Sequence, residues 1–296
     1  MSQIDLHGVF PPITTPFIDG KVAHDKLGSN IEKWSKTGLK GIVVLGSNGE
    51  YVYLSEEEKR KVLETAIKAA PKDMFVIAGT GCESTEETIK LTDDCAKLGA
   101  HAALVITPHY YGGKMSDSAL IKHFTVVADN SSIPILLYNV PKFTYINVTA
   151  GVVSVLSQHP NILGIKESSG NVNLLGQYIN NVSENFKVMV GTAGVLFGGL
   201  SIGCVGGILA LANVAPEQCV TIFDLVNESK FEAAKNLQLK MIPVNNAVTA
   251  IYGVPGLKAA MDMLGYFGGE PRLPLLPCSE KEKSEIRGIL QTAELL

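Results

Sequence analysis

A lysine at the end of an apolar run is the strongest candidate for chemistry in this sequence. Lys166 follows the run ILGI at 162–165, where a charged ammonium group is costly unless it is paired. Burial favours the neutral amine, which can attack a carbonyl carbon and form a Schiff base, and the imine then serves as an electron sink for making or breaking the adjacent carbon–carbon bond. The structural alternative is a lysine that snorkels to solvent or pairs with Glu167.

Two further groups of residues offer complementary chemistry. Tyr138 ends the apolar run PILLY, and Pro141 stiffens the chain behind it. A phenol at such a position can relay protons. In the motif GSNGE at 46–50, small residues let backbone N–H groups face an anion, and the hydroxyl of Ser47 beside the amide of Asn48 can complete a carboxylate pocket. A plain glycine turn is the other interpretation of this motif.

Other kinds of chemistry find less support. The loop TPHYYGG at 107–113 contains the phenols of Tyr110 and Tyr111, although aromatic loop residues taken alone more often serve packing or an interface. None of the six histidines has the spacing of a metal-binding motif, so we expect no metal. The sequence lacks a Gly-x-Ser-x-Gly elbow and a Walker loop, which argues against acyl transfer and nucleotide hydrolysis. We expect no cofactor.

Eight short apolar runs must position these residues. Each is rich in Val and Ile and is followed by a stretch of helical periodicity, and they begin near Gly8, Gly41, Phe75, Ala102, Ile133, Ile162, Lys187 and Val205. Such continuous apolar runs are typical of parallel strands covered on both faces. The pattern predicts an α/β fold, a closed (β/α)8 TIM barrel with its active site at the C-terminal ends of the strands.

A doubly wound open sheet is the alternative fold. Its phosphate fingerprint is absent, because the nearest match, GTGCES at 79–84, has serine in place of the third glycine. We interpret this segment as a turn followed by a helix N-cap. The Ser-x-x-Glu spacing at Ser55, Ser84 and Ser279 is typical of helix N-termini.

The predicted division of the chain places the barrel in residues 1–215. Residues 216–296 look helical and exceed what the eighth unit needs. We therefore expect this additional C-terminal region to provide the last barrel helix and further helices that pack beside the barrel or at a subunit contact.

Composition narrows the partners and the compartment. Twenty-five Lys plus Arg against 29 Asp plus Glu give a net charge of -4, without the cationic excess that nucleic acid demands. The five cysteines form no Cys-x-x-Cys pair, which favours a reducing compartment. The N-terminus shows no presequence, so we expect a cytoplasmic protein.

The uncharged stretch 188–216 contains seven glycines, which favours two buried strands around a short helix over a membrane span.

The motifs GSNGE, TPHYY, YNVP and GIKESSG, in this order and at these predicted strand ends, resemble those of the dihydrodipicolinate synthase and N-acetylneuraminate lyase superfamily of pyruvate-type Schiff-base aldolases. The resemblance continues through GTAG at 191–194, VGGILALANV at 205–214 and YGVPGLKAAMD at 252–262, and so spans nearly the whole chain. Ser-Asn in the first motif and SQHPNI at 157–162 make the chain most similar to the 4-hydroxy-2-oxoglutarate aldolases.

The resemblance implies a role for each matching residue. Lys166 matches the lysine that condenses with the keto group of pyruvate or another 2-keto acid, and Tyr138 matches the phenol that shuttles protons. Ser47 matches the hydroxyl that links this phenol to a second tyrosine, here Tyr110, which in the family comes from the neighbouring subunit. Ser47 and Asn48 match the loop that holds the C1 carboxylate.

The resemblance also implies the outer part of the pocket and an oligomer. Ser168 and Gly191 match positions that face the distal part of the substrate, and the main chain of Ile208 matches one that lines the pocket. The expected partner is a small 2-keto acid. Family members are commonly dimers or tetramers, so the resemblance implies a homo-oligomer, with a homotetramer expected.

Departures from the family pattern bear on the substrate. Phe143 stands where the synthases have an arginine that binds the carboxylate of aspartate semialdehyde, and Tyr145 stands where relatives usually have glycine. We therefore predict weak dihydrodipicolinate synthesis and a mouth shaped by both aromatic residues. The main prediction is an aldolase for 4-hydroxy-2-oxoglutarate or a related acid. The alternatives are a 2-keto-3-deoxy sugar-acid aldolase, a 4-hydroxy-tetrahydrodipicolinate synthase, a Schiff-base dehydratase, and a barrel kept as a binding protein.

Overall fold

The computed structural model describes residues 4–296, and an eight-stranded parallel sheet forms its centre. The strands begin within two residues of the predicted positions. They are β1 (Gly8–Phe10), β2 (Gly41–Val44), β3 (Phe75–Gly79), β4 (Ala102–Ile106), β5 (Ile135–Asn139), β6 (Ile162–Glu167), β7 (Lys187–Val190) and β8 (Gly206–Ile208).

The strands follow one another around a barrel in chain order. Each of β2 to β7 pairs with the next strand in the chain, and β8 pairs with β1. The segment after β1 completes the ring, because the backbone N–H of Val43 donates to Pro11 O and the N–H of Ile13 donates to Val43 O, both at 2.9 Å. The predicted (β/α)8 barrel is confirmed, and the doubly wound alternative is wrong.

Eight helices alternate with the strands, and three more follow. The helices of the barrel are α1 (His24–Trp34), α2 (Glu56–Ala69), α3 (Thr85–Leu98), α4 (Asp117–Asp129), α5 (Ala150–Leu156), α6 (Val172–Asn181), α7 (Leu196–Ser201) and α8 (Pro216–Asn227). The C-terminal helices are α9 (Phe231–Asn246), α10 (Gly253–Met263) and α11 (Glu280–Thr292).

Short elements occupy the connections. A hairpin of Phe17–Ile18 with Lys21–Val22 precedes α1. Single 3₁₀ turns follow several strands, and a four-residue helix, Pro141–Thr144, follows β5. A π-helical turn, Ala247–Ile251, links α9 to α10.

Helix caps form where the serine spacing predicted them. The hydroxyls of Ser55 and Ser279 accept from the backbone N–H three residues later, and the glutamate at that position reaches back to the serine N–H. Ser84 caps α3 in the same way with its hydroxyl, so the segment 79–84 is the predicted turn and N-cap.

Two apolar clusters share the core. One fills the barrel interior and includes Phe10, Val43, Leu104 and Met189; a larger one lies between the strands and the surrounding helices. This arrangement covers the sheet on both sides, as continuous apolar strands require. The uncharged stretch 188–216 forms β7, α7 and β8 as predicted. Within residues 4–296, the helices are too short or too polar to cross a bilayer.

Candidate active site

Lys166 and Tyr138 are neighbours at the carboxyl end of the barrel. They are register partners on β6 and β5, and Lys166 Nζ lies 4.2 Å from the centroid of the Tyr138 ring. Both side chains are buried, at 4% and 6% exposure. Burial lowers the pKa of Lys166 from its ordinary value, although the neighbouring Tyr138 opposes the shift. The site therefore favours a neutral, nucleophilic amine.

Glu167 does not neutralise this lysine, because successive residues of a strand point to opposite faces. Its Oε1 accepts from the backbone N–H of Ser169 at 2.6 Å and from Asn139 Nδ2 at 3.3 Å. Burial raises the pKa of Glu167, and these hydrogen bonds oppose the rise. The alternative of a Lys166–Glu167 pair is thus not the arrangement in the structure.

Ser47 opens the 3₁₀ turn Ser47–Gly49, three residues after the end of β2. Its Oγ lies 3.5 Å from the Tyr138 hydroxyl, the outer limit of a hydrogen bond. The hydroxyl of Thr15 donates to Gly49 O at 2.7 Å and so fixes the end of this turn. The structure thus brings Ser47, Tyr138 and Lys166 together, the arrangement that the family resemblance implies.

A cavity of about 210 Å³ opens beside this cluster. Asn48, Tyr138, Lys166, Ser168 and Gly191 line it, together with residues of the C-terminal region. This volume suits a small acid of a few carbon atoms.

Ser168 and Gly191 form one wall of the cavity. The Ser168 hydroxyl donates to Gly191 O at 3.3 Å, and the backbone N–H of Gly191 donates to Glu167 O at 2.6 Å. A Cβ at position 191 would lie 1.9 Å from Ser168 Oγ, so only glycine fits this close approach. Ile208 is fully buried and does not contribute to the lining; Ala210, two residues later, does.

Tyr110 lies apart from its own chain's site and is 77% exposed. Its loop is fixed by Glu83, whose Oε2 accepts from the backbone N–H groups of His109 and Tyr110 at 2.9 and 2.8 Å. The Tyr110 and Tyr111 rings meet edge to face at 5.0 Å. A phenol that projects from the surface on a loop bound by Glu83 fits the expectation that it acts across a subunit contact.

The two aromatic departures behave differently. Phe143 lines the cavity and is 49% exposed. Tyr145 is 92% exposed with a left-handed backbone (φ 56°) and takes no part in the cavity wall. The expectation that both residues shape the mouth therefore holds for Phe143 alone.

The cavity also uses residues that sequence reasoning missed. Lys142 and Thr192 line it, as does the segment 248–250 of the π-helical turn. Thr192 directly follows the predicted Gly191, and Lys142 directly precedes Phe143. Their positions next to predicted site residues could therefore have identified both from the sequence. The contribution of the C-terminal region has no local sequence signal, since it arises from how α9 and α10 fold back over the barrel mouth.

Fold and site together define a (β/α)8 barrel protein with a buried lysine in a cavity at the carboxyl ends of its strands. Residues 5–293 match the model of the Dihydrodipicolinate synthetase family, and the chain belongs to that family.

Relatives and solved structures agree with this assignment. The chain is 39% identical to a 4-hydroxy-tetrahydrodipicolinate synthase of Methanothrix thermoacetophila over 96% of this chain and 95% of the relative. Its structure is similar to that of a chloride-inhibited dihydrodipicolinate synthase from Acinetobacter baumannii complexed with pyruvate, with a TM-score of 0.94, 31% identity, and coverage of 99% and 100%. It is also similar to a monomeric dihydrodipicolinate synthase variant, with a TM-score of 0.94, 29% identity, and coverage of 98% of each chain.

Proposed function

We propose that this protein is a Schiff-base aldolase that cleaves 4-hydroxy-2-oxoglutarate, or a related 2-keto-4-hydroxy acid, to pyruvate and an aldehyde. The observation that carries the proposal is the buried amine of Lys166, 4.2 Å from the centre of the Tyr138 ring at the barrel mouth. The structural likeness to a synthase complexed with pyruvate supports a three-carbon keto acid as the part of the substrate that this site holds.

The proposed reaction begins at the keto group. Lys166 Nζ attacks C2, and loss of water gives an iminium ion. Tyr138 relays the protons of this step, with Ser47 as its hydroxyl partner. Ser47 and Asn48 bind the C1 carboxylate with backbone and side-chain donors at the turn after β2.

Cleavage then uses the iminium ion as an electron sink. A base removes the proton of the C4 hydroxyl, the C3–C4 bond breaks, and its electron pair moves into the iminium system as an enamine while C4 leaves as the aldehyde. Protonation at C3 and hydrolysis of the imine release pyruvate and free Lys166. Ser168, Gly191, Phe143 and Ala210 line the cavity, and we propose that they surround the distal part of the substrate.

A second candidate is 4-hydroxy-tetrahydrodipicolinate synthesis, which the similarity to the synthase of Methanothrix thermoacetophila favours. Phe143 argues against it, because phenylalanine cannot replace the charge-assisted contact of the synthase arginine. A 2-keto-3-deoxy sugar-acid aldolase and a Schiff-base dehydratase would use the same lysine, and differ in the tail of the substrate and in the group released.

The decisive experiment combines trapping with a substrate panel. Borohydride in the presence of pyruvate should add one reduced adduct to Lys166, located by peptide mass spectrometry, and Lys166→Ala should block it. Pyruvate release is then compared for 4-hydroxy-2-oxoglutarate and 2-keto-3-deoxy sugar acids, beside condensation of pyruvate with aspartate semialdehyde. Absence of the adduct refutes the proposal, and efficient condensation with aspartate semialdehyde refutes the assigned substrate.

A further inference from the structure

The charge of the cavity is one-sided. Among the described residues that line it there are two lysines, Lys142 and Lys166, and no carboxylate. The proposed reaction needs Lys166 in its neutral form for imine formation and uses the donors of the turn after β2 for the C1 carboxylate. Lys142 is therefore a positive charge in the same cavity that the chemistry at C1 to C4 leaves unused.

Lys142 is held at the rim of the cavity by the local structure. It is the second residue of the helix Pro141–Thr144, whose first position is a proline suited to a helix start. Its Nζ donates to Thr249 O at 2.9 Å and lies 5.6 Å from the centroid of the Phe143 ring. These contacts join the turn after β5 to the π-helical turn and place the ammonium group between them.

The ammonium group keeps binding capacity for an anion. Within residues 4–296, Lys142 has no carboxylate within ion-pair distance, although many other surface lysines of the chain do. A lysine ammonium has three donors, and the structure uses one of them on a neutral carbonyl. A carboxylate would accept from the remaining donors in a charge-assisted hydrogen bond, which is stronger than a neutral one.

We propose that Lys142 binds a second carboxylate at the distal end of the substrate, so that this site selects dianionic 2-keto acids over those with an uncharged tail. The inference rests on the proposed function and names the substrate class of the same site. It also accounts for the missing arginine at position 143, because the cation is then supplied by the neighbouring position and Phe143 provides only an apolar wall.

Two substrates that differ at one group provide the test. 4-Hydroxy-2-oxoglutarate and 4-hydroxy-2-oxopentanoate share C1 to C4, and the first has a carboxylate where the second has a methyl group. In Lys142→Met, we expect kcat/KM for the dicarboxylate to fall about 10-fold through a rise in KM, while kcat/KM for the pentanoate stays within about 2-fold. Lys142→Arg should retain most of the parent's kcat/KM for the dicarboxylate, because arginine keeps the positive charge.

Salt and a matched variant separate local binding from general electrostatics. The KM of the parent for the dicarboxylate should rise with ionic strength, and this dependence should weaken in Lys142→Met. Lys72→Met makes the same change of charge at an exposed lysine outside the cavity and should leave both substrates unaffected.

The outcomes distinguish this inference from the proposed function. Equal losses on both substrates, or no loss on either, overturn the role of Lys142 while pyruvate trapping on Lys166 still supports the aldolase. Cleavage of only the pentanoate by the parent enzyme would also overturn the role of Lys142 and leave the proposed aldolase activity standing. Failure of pyruvate to form the adduct in the parent and in Lys142→Met alike overturns the proposed function and, with it, this inference.

Discussion

Glu50 and Lys258 form an ion pair with an N–O distance of 2.5 Å, and each side chain is 1% exposed. Glu50 ends the turn that contains Ser47 and Asn48, in a left-handed conformation with φ of 55°. Lys258 lies on α10 in the C-terminal region, and the backbone N–H of Arg272 donates to the second oxygen of Glu50 at 2.8 Å. The proposed carboxylate-binding turn is thus anchored to α10 and to the irregular segment that follows it, more than 200 residues away in the chain.

Removing one member of this pair should destabilise the protein strongly. Because the partner would remain as a buried, uncompensated charge, we expect Glu50→Gln or Lys258→Met to lower the free energy of unfolding by about 3 to 5 kcal/mol. The double variant should recover much of the loss. Urea denaturation of the parent, both single variants and the double variant gives the coupling energy directly.

An exposed pair serves as the control for that measurement. Lys61 and Glu57 are 2.6 Å apart, with side chains 50% and 69% exposed. Lys61→Met should cost less than about 1 kcal/mol, since solvent screens the pair. Similar losses at Lys61 and Lys258 would show that the Glu50–Lys258 pair is solvated in solution.

The rate of imine formation should depend on pH through Lys166. Burial lowers the pKa of this amine from the ordinary 10.5, and only the neutral form attacks a carbonyl. The rate of borohydride trapping at low pyruvate should therefore rise with pH and reach its plateau below pH 10.5. Rapid-quench mass spectrometry measures it; a midpoint at the ordinary lysine value would contradict the burial of the amine.

The same shift predicts a pH-dependent gain in stability for Lys166→Met. A lowered pKa in the folded state means that folding binds fewer protons, so the charged lysine destabilises the fold most at low pH. The variant should be more stable than the parent by about 1 to 2 kcal/mol near neutral pH. This difference should shrink as pH rises through the lowered pKa towards 10.5. A constant difference across pH would disprove the linkage.

Local sequence patterns were sufficient for the barrel and for the positions of Lys166 and Tyr138 at its mouth. The strand order needed only eight apolar runs with intervening helices, and Lys166 and Tyr138 were placed by their positions at strand ends. The outer cavity required tertiary information. The segment 248–250 lines the cavity because it belongs to a π-helical turn. Tyr145 does not line it, because its own left-handed backbone conformation directs its ring to solvent. Neither backbone event has a periodic signal in the sequence.

Loss of the Tyr138 hydroxyl should affect catalysis far more than loss of the Ser47 hydroxyl. The phenol is proposed to move protons itself, whereas Ser47 acts through it at 3.5 Å. We expect Tyr138→Phe to lower kcat about 100-fold or more. Ser47→Ala should also lower kcat, but by a factor several times smaller than that for Tyr138→Phe. Pyruvate release assays measure both rates. A smaller loss in Tyr138→Phe than in Ser47→Ala would reverse the proposed roles.

Tyr110 should act on the site of a second subunit, because it is 77% exposed on its own chain and its loop is already ordered by Glu83. We expect Tyr110→Phe and Lys166→Ala to be nearly inactive when each is purified alone. In a mixed dimer with a two-fold interface, one site combines an intact Lys166 with an intact Tyr110 from the other subunit. Random reassociation of equal amounts should then restore about one quarter of the parent activity, since half of the dimers are mixed and each contains one complete site.

Native mass spectrometry can verify the mixing of the two variants. The variant that has both substitutions in the same chain provides the blank, because its dimers contain no complete site. Verified mixed dimers without recovered activity would place Tyr110 outside the reaction, and full activity in Tyr110→Phe alone would do the same.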